Sequence, residues 1–209
     1  MKKIYETEKD LRPYNATRYS LYGNLRSGNY RGGVEPLLSW EYVHGNQGGC
    51  IIKVVDNFLP KNEFVKIREV ICANTFPFFY NNYVTDDTDP LNYYYFTHIF
   101  FIKNAPNSEY FYLWDNFLKK IECNALIRIK ANLYTRGEKE LIHRPHKDYS
   151  YPHKGCLFYI NNNNGATYFK DKKVLSKANR AVFFKPHEPH SSSLCTDQNR
   201  RITINFNYF

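Results

Sequence analysis

His146-Lys147-Asp148 is the single place in this 209-residue chain where a histidine is followed two positions later by an aspartate. Side chains two apart in an extended segment lie on the same side, so this imidazole and this carboxylate could share one metal ion. Seven histidines and nine aspartates would give about 0.3 such pairs by accident, so the pair alone carries little weight. Its setting adds more, because His143, His146, His153, His187 and His190 all fall within 48 residues of the C-terminal half. His190 stands shortly before the last apolar run, where a second imidazole would complete a set of two histidines and one carboxylate. Bound to one face of an octahedral iron(II), that set leaves three positions open, which is what chemistry with O2 requires.

A 2-oxoglutarate cosubstrate would fill two of those positions with its keto and C1-carboxylate oxygens, and its C5 carboxylate would need a bidentate cation deeper in the fold. Arg201 follows His190 after ten intervening residues. In a strand, Arg201, Thr203 and Asn205 share one face while Ile202, Ile204 and Phe206 share the other, so Arg201 and Thr203 could bind that carboxylate together. Arg200 then faces away. Taken singly, Arg201 reads equally well as a surface residue and His190 as the cap of a turn beside Pro189. The order of His-x-Asp, later His and Arg-x-Thr favours the site. His187 is a rival distal ligand, His143 and His153 read as exposed loop histidines, and Glu138, Glu140 and Asp171 as solvated turn charges.

These residues need a frame that is mostly sheet. The chain carries 19 Tyr and 16 Phe, and bulky rings with β-branched runs favour strands. Residues 1–49 interleave Tyr, Arg, Asn and Gly without apolar periodicity and read as an irregular N-terminal arm, whose Arg and Tyr could stack on bases or clamp a substrate. Residues 50–209 read as one domain. Ile51 to Val55 is expected as a buried strand, Pro60 as the start of a helix with Phe64, Ile67 and Ile71 on one face, and Phe78–Val84 and Tyr93–Ile102 as further strands. A second helix is expected after Ser108, with Phe111, Trp114, Leu118 and Ile121 on one side. Short strands then follow at Leu126–Tyr134, Gly155–Asn161, Ala166–Phe169, Arg180–Phe184 and Arg201–Tyr208. Helices first and strands last give an α+β chain: a double-stranded β-helix, the jelly roll of cupin-like proteins, with N-terminal flanking helices.

Five cysteines in no disulfide or zinc spacing point to a reducing, cytoplasmic setting. No apolar leader and no run of about 18 apolar residues is present, so neither secretion nor membrane spanning is expected. The formal charge of +9 leaves a nucleic-acid partner open without naming one, since most lysines stand singly.

The chain also resembles the prolyl-4-hydroxylase-like branch of the 2-oxoglutarate and iron(II) oxygenases, most closely phage-encoded members of it, over about residues 50–209. The resemblance is carried by Val54-Val-Asp-Asn-Phe-Leu-Pro, by Arg128-Ile-Lys-Ala-Asn-Leu-Tyr before Gly137, by Cys156-Leu-Phe-Tyr-Ile-Asn with Gly165-Ala-Thr-Tyr-Phe, and by His190-Ser-Ser-Ser with the terminal strand from Arg201. It implies iron(II) held by His146, Asp148 and His190, with 2-oxoglutarate bound by Arg201, Thr203, Tyr159 and Tyr134. It further implies hydroxylation of a substrate C–H bond with O2, coupled to decarboxylation of 2-oxoglutarate to succinate, and a prolyl side chain in a peptide or small molecule as substrate. A phage gene would place the protein in the host cytoplasm. A nucleobase oxygenase and a non-catalytic binding barrel stay open as alternatives. The resemblance has no counterpart for residues 1–49, and it replaces a usual Gly-Gly turn by Asn164-Gly165, where Asn is expected to tolerate positive φ.

Overall fold

The computed structural model describes residues 52–85 and 93–209, so the expected arm over residues 1–49 lies outside the described residues. The first elements among the described residues are β1 (Lys53–Val55) and α1 (Lys61–Cys72). The Pro60 carbonyl accepts from the Glu63 and Phe64 amides at 3.1 and 3.0 Å, so the proline sits at the boundary and the helix begins one residue later. Phe64, Ile67 and Ile71 form its buried face, as the 3.6-residue period requires.

Next come β2 (Phe79–Asn81), β3 (Tyr95–Ile102) and β4 (Ala105–Pro106). The expected strand over Phe78–Val84 shrinks to three residues, and β2 is the outer strand of its sheet, paired on one side only among the described residues. Lys103 and Asn104 turn β3 into β4 with φ of 53° and 60°, the left-handed pair of a tight hairpin.

The helix expected after Ser108 divides into a 3-10 segment (Glu109–Trp114) and α2 (Asp115–Lys120). Ser108 starts it, its hydroxyl accepting from the Tyr110 amide at 3.1 Å. The tighter winding rotates the buried face, so that Trp114, Phe117 and Ile121 are buried while Phe111 and Leu118 are only partly covered.

The remainder is antiparallel sheet: β5 (Leu126–Thr135), β6 (Lys154–Tyr159), β7 (Ala166–Phe169), β8 (Lys172–Leu175), β9 (Arg180–Phe184), β10 (Ser191–Ser192) and β11 (Arg200–Tyr208). The large sheet runs β1-β9-β6-β11-β5-β3-β2 with β4 on β3, and a small sheet runs β10-β7-β8. Sequence reading passed over β8, which carries two lysines and buries only Val174, and over β10, which has two residues.

β11 lies at the middle of the large sheet between β5 and β6, and nearly all of it is buried. One face presents Ile202, Ile204, Phe206 and Tyr208 to the core beneath α1 and α2. There Phe117 stacks on Phe206 at 4.2 Å, and Trp114 meets the same ring edge-on at 5.1 Å. The other face presents Arg201, Thr203, Asn205 and Asn207 to the interior of the jelly roll, where Leu157, Tyr159, Val174, Val182 and Phe184 form a second apolar cluster.

Truncating the ring that joins α2 to β11 tests this arrangement: Phe117→Ala is expected to cost about 3–5 kcal/mol, read as a lower midpoint in urea unfolding.

Candidate metal centre

His146 and His190 face each other across an isolated bridge, the His146 amide donating to the His190 carbonyl at 2.9 Å and the His190 amide to the His146 carbonyl at 3.0 Å. The Asp148 amide donates to Pro186 at 2.9 Å, tying the His-x-Asp segment to the segment that leads into His190. These pairings bring together three residues, the outer two of which are 44 positions apart in the chain. One ligand atom from each of His146, Asp148 and His190 lies within 4.8 Å of the others. His190 Nδ1 donates to the Glu188 carbonyl at 3.0 Å, which fixes the tautomer and leaves Nε2 free as a ligand.

Asp148 is held by side chains that sequence reading did not assign. Its Oδ2 accepts from Asn205 Nδ2 and Asn207 Nδ2, both at 2.9 Å, and its Oδ1 from Arg128 Nη2 at 3.3 Å. Asn207 has its remaining capacity used as well: Oδ1 accepts from Arg128 at 3.1 Å, and the amide also donates to His153 Nε2 at 3.1 Å. The signal for these partners was the polar alternation of the last strand, which continues past Thr203 to Asn205 and Asn207. Arg128 stands opposite Asn207 in the β5–β11 register, a relation that only pairing reveals.

Burial pushes the Asp148 carboxyl up, but attraction from His190 and Arg128 and donation from Asn207 and Asn205 outweigh it and leave its pKa at about 2. Burial, the neighbouring His190 and Lys130 lower His146 to about 4, against an upward pull from Asp148. At neutral pH the set is therefore one carboxylate and an imidazole without its proton, the state a divalent metal needs. Lys130 on β5 is driven down to about 8 by burial and by Arg128, with Asp148 opposing.

Two of the other histidines depart from expectation. His143 and His153 are buried, at 1% and 7% exposure, rather than exposed in loops. His143 Nδ1 pairs with Ser192 Oγ at 2.9 Å and its ring stacks on Tyr134 at 5.2 Å. His153 Nδ1 donates to the Tyr151 carbonyl at 2.9 Å, so that Nε2 can accept from Asn207 behind the aspartate. His187 stays outside the metal group.

Arg201 is fully buried on the same face of β11. Its Nε donates to Ser176 Oγ at 2.8 Å and its Nη2 to Thr167 Oγ1 at 3.0 Å, while its guanidinium lies over the rings of Tyr134 and Tyr159 at 5.3 and 5.7 Å. Tyr159 donates to Thr167 at 2.8 Å. Ser176 and Thr167 were missed in the sequence because they come from the small-sheet side of the barrel. Thr203 is buried on the shared face, but its hydroxyl is not among the partners of Arg201. Nη1 of Arg201 has no partner among the described residues, and the arginine forms no ion pair there. A buried guanidinium with a free donor suits an anion.

The Asn164-Gly165 turn uses no positive φ, contrary to expectation. Gly165 is needed for space instead: a Cβ there would lie 2.6 Å from Arg201 Cδ. Asn164 clamps the loop before β11, donating to Thr196 Oγ1 at 2.7 Å and accepting from the Thr196 amide at 2.9 Å.

A groove of about 590 Å³ opens beside His190, lined among others by Pro145, Tyr168, Phe169, Lys170 and Lys185. Among the described residues no helix is long and apolar enough to cross a membrane.

No protein-family model and no curated protein matches the chain. Solved structures do. A 2OG-Fe(II) oxygenase family oxidoreductase from Burkholderia pseudomallei is 7% identical, with 77% of this chain and 85% of that one covered and a TM-score of 0.55. A prolyl-4-hydroxylase from Pseudomonas putida is 14% identical, with 75% and 91% covered and a TM-score of 0.50. A prolyl hydroxylase from Trichoplax adhaerens, in complex with a peptide fragment of the hypoxia inducible factor oxygen degradation domain, is 11% identical, with 76% and 83% covered and a TM-score of 0.50. At these identities the likeness establishes the fold, a jelly roll of the kind these oxygenases share.

The lowered pKa values set a pH dependence. Folding holds His146 at about 4 against an ordinary 6.5 and Asp148 at about 2 against 3.8, so the unfolded chain binds more protons in both windows. Stability of the chelated, metal-free protein is expected to fall as pH drops from 6.5 towards 4, and again below 3.8, in urea midpoints taken across that range. His146→Gln should remove part of the first decline.

Proposed function

We propose that this chain is an iron(II)- and 2-oxoglutarate-dependent dioxygenase that hydroxylates a C–H bond of its substrate. The observation that carries the reading is the convergence of His146, Asp148 and His190 within 4.8 Å, with the unpaired Nη1 of buried Arg201 on the same interior face. The donor set fits the metal: two imidazoles and one carboxylate bind facially and leave three positions free. Bound iron(II) supplies the O2 chemistry that converts 2-oxoglutarate to succinate and CO2 while the substrate is oxidised.

The protein's share is positioning. Asn205, Asn207 and Arg128 orient the Asp148 carboxylate, and Glu188 fixes His190 through its carbonyl. Arg201, seated by Ser176 and Thr167 and sandwiched by Tyr134 and Tyr159, would take the C5 carboxylate of 2-oxoglutarate, with Thr203 on the same face. The apolar cluster around Leu157, Val182 and Phe184 limits water beside the reacting atoms.

For the substrate we favour a prolyl side chain, in a peptide or free. The fold is shared with two prolyl hydroxylases, one of them solved with a bound peptide, and the groove beside His190 is open enough to admit an extended segment.

Succinate formation from 2-oxoglutarate under air, with added iron(II), tests the reading. Asp148→Ala is expected to abolish turnover. Arg201→Ala is expected to raise KM for 2-oxoglutarate by roughly 30-fold or more, as loss of one partner of a buried charge pair does. Gly165→Ala, which forces Arg201 from its seat, should raise the same KM while leaving iron affinity unchanged. No turnover, together with no 2-oxoglutarate binding by the iron-loaded protein, would leave a non-catalytic barrel as the better reading.

A further inference from the structure

Lys130 is a cation that neither the fold nor the metal ligands account for. It lies on β5 directly opposite Asn205, the residue that donates to Asp148, and on the same interior face as Asn132 and Tyr134. It is close enough to Asp148 and His146 to act on the charge of both. Among the described residues it forms no ion pair. Its one hydrogen bond among the described residues is to the Tyr95 hydroxyl at a long 3.5 Å, and its ammonium lies 5.6 Å from the centre of that ring.

Arg128 is neutralised by Asp148. On the same interior surface Lys130 and Arg201 have no ion pair among the described residues. They stand at the two ends of one aromatic wall: Tyr95 stacks on Tyr134 at 5.8 Å and 17°, Lys130 sits against Tyr95, and Arg201 sits over Tyr134. A ligand with an anion at each end matches a wall with a cation at each end. The Lys130 end is also the metal end, where a second positive charge would be repelled unless an anion lay between them.

We propose that Lys130 binds the metal-side carboxylate of 2-oxoglutarate, so that the dicarboxylate is bracketed by Lys130 and Arg201. This rests on the function proposed above. Lys130 is then a cosubstrate-binding residue that gives the free protein little stability, since a half-buried, partly desolvated ammonium with no ion pair among the described residues does no better there than an apolar side chain of the same length.

The test compares two 2-oxoacids in anaerobic titrations of the iron(II)-loaded protein, read by the charge-transfer absorbance. 2-Oxoglutarate has both carboxylates, and 2-oxobutyrate keeps only the one beside the keto group. Lys130→Met is expected to weaken both ligands by about tenfold or more, the worth of a charge-assisted hydrogen bond, whereas Arg201→Ala should weaken 2-oxoglutarate alone. Lys130→Arg should recover most of the lost affinity. Thermal unfolding of the metal-free Lys130→Met protein should come at or above the wild-type temperature.

Wild-type affinity of Lys130→Met for both acids would overturn the proposal and leave the proposed function standing, as would a loss confined to 2-oxoglutarate. A clear fall in the unfolding temperature of the metal-free variant would make Lys130 a structural residue and overturn it as well. Failure of the wild-type protein itself to bind 2-oxoglutarate would instead remove the proposed function.

Discussion

The carboxylate of Asp148 is buried, and everything around it follows from keeping it ionised and aimed. An isolated carboxylate in a protein interior would take up a proton or cost several kcal/mol (~3–5 when a partner is lost). Here three donors from two neighbouring strands hold it: Arg128 from β5, and Asn205 and Asn207 from β11. Such a network works only if both strands sit in the middle of the sheet with fixed register. That demand makes β11 a central strand, buried on both sides, polar towards the barrel and apolar towards the helices. The stack of Phe117 on Phe206 is the far side of the same requirement, because it anchors the strand whose other face carries the asparagines.

The network reaches further than the first partners of the aspartate. Asn207 has both amide hydrogens and its oxygen engaged, with His153 behind it and Tyr151 behind that. Asn207, with every polar atom engaged, is the member that restricts Asp148 to one orientation, whereas Arg128 Nε and Asn205 Oδ1 have no partner among the described residues. At the other end of β11, Arg201 is seated as firmly by Ser176, Thr167 and two tyrosine rings, yet keeps one donor without a partner among the described residues. The interior face thus holds unsatisfied polar atoms at several points, on Arg128 and Asn205 beside Asp148 and on Arg201 at the other end of the strand. Local stability has been given up at those points, as is common at functional sites.

Much of this was legible in the residues. The His-x-Asp spacing, the position of His190 and the alternation from Arg201 to Asn207 are short-range properties, and a strand's period of two turns them into faces without knowledge of the fold. The apolar spacing of α1 and the runs that became β5, β6, β7, β9 and β11 were legible for the same reason. Local rules also misled where they depended on the environment. His143 and His153 lie in polar, loop-like stretches whose composition predicts exposure, but cross-strand packing buries them. The turn at Asn164-Gly165 suggested a need for positive φ, whereas the glycine is there because Arg201 passes too close for a Cβ.

The sequence by itself determined which residue types stood on each face of the terminal strand and which three side chains could share a metal, because both depend on spacing along the chain. Tertiary structure alone decided that Arg128 meets Asn207 and Asp148, that Ser176 and Thr167 seat Arg201, and that Lys130 stands opposite Asn205 with no ion pair among the described residues. Those relations cross strands or sheets 20 or more residues apart, and their register is set by the packing of the whole barrel.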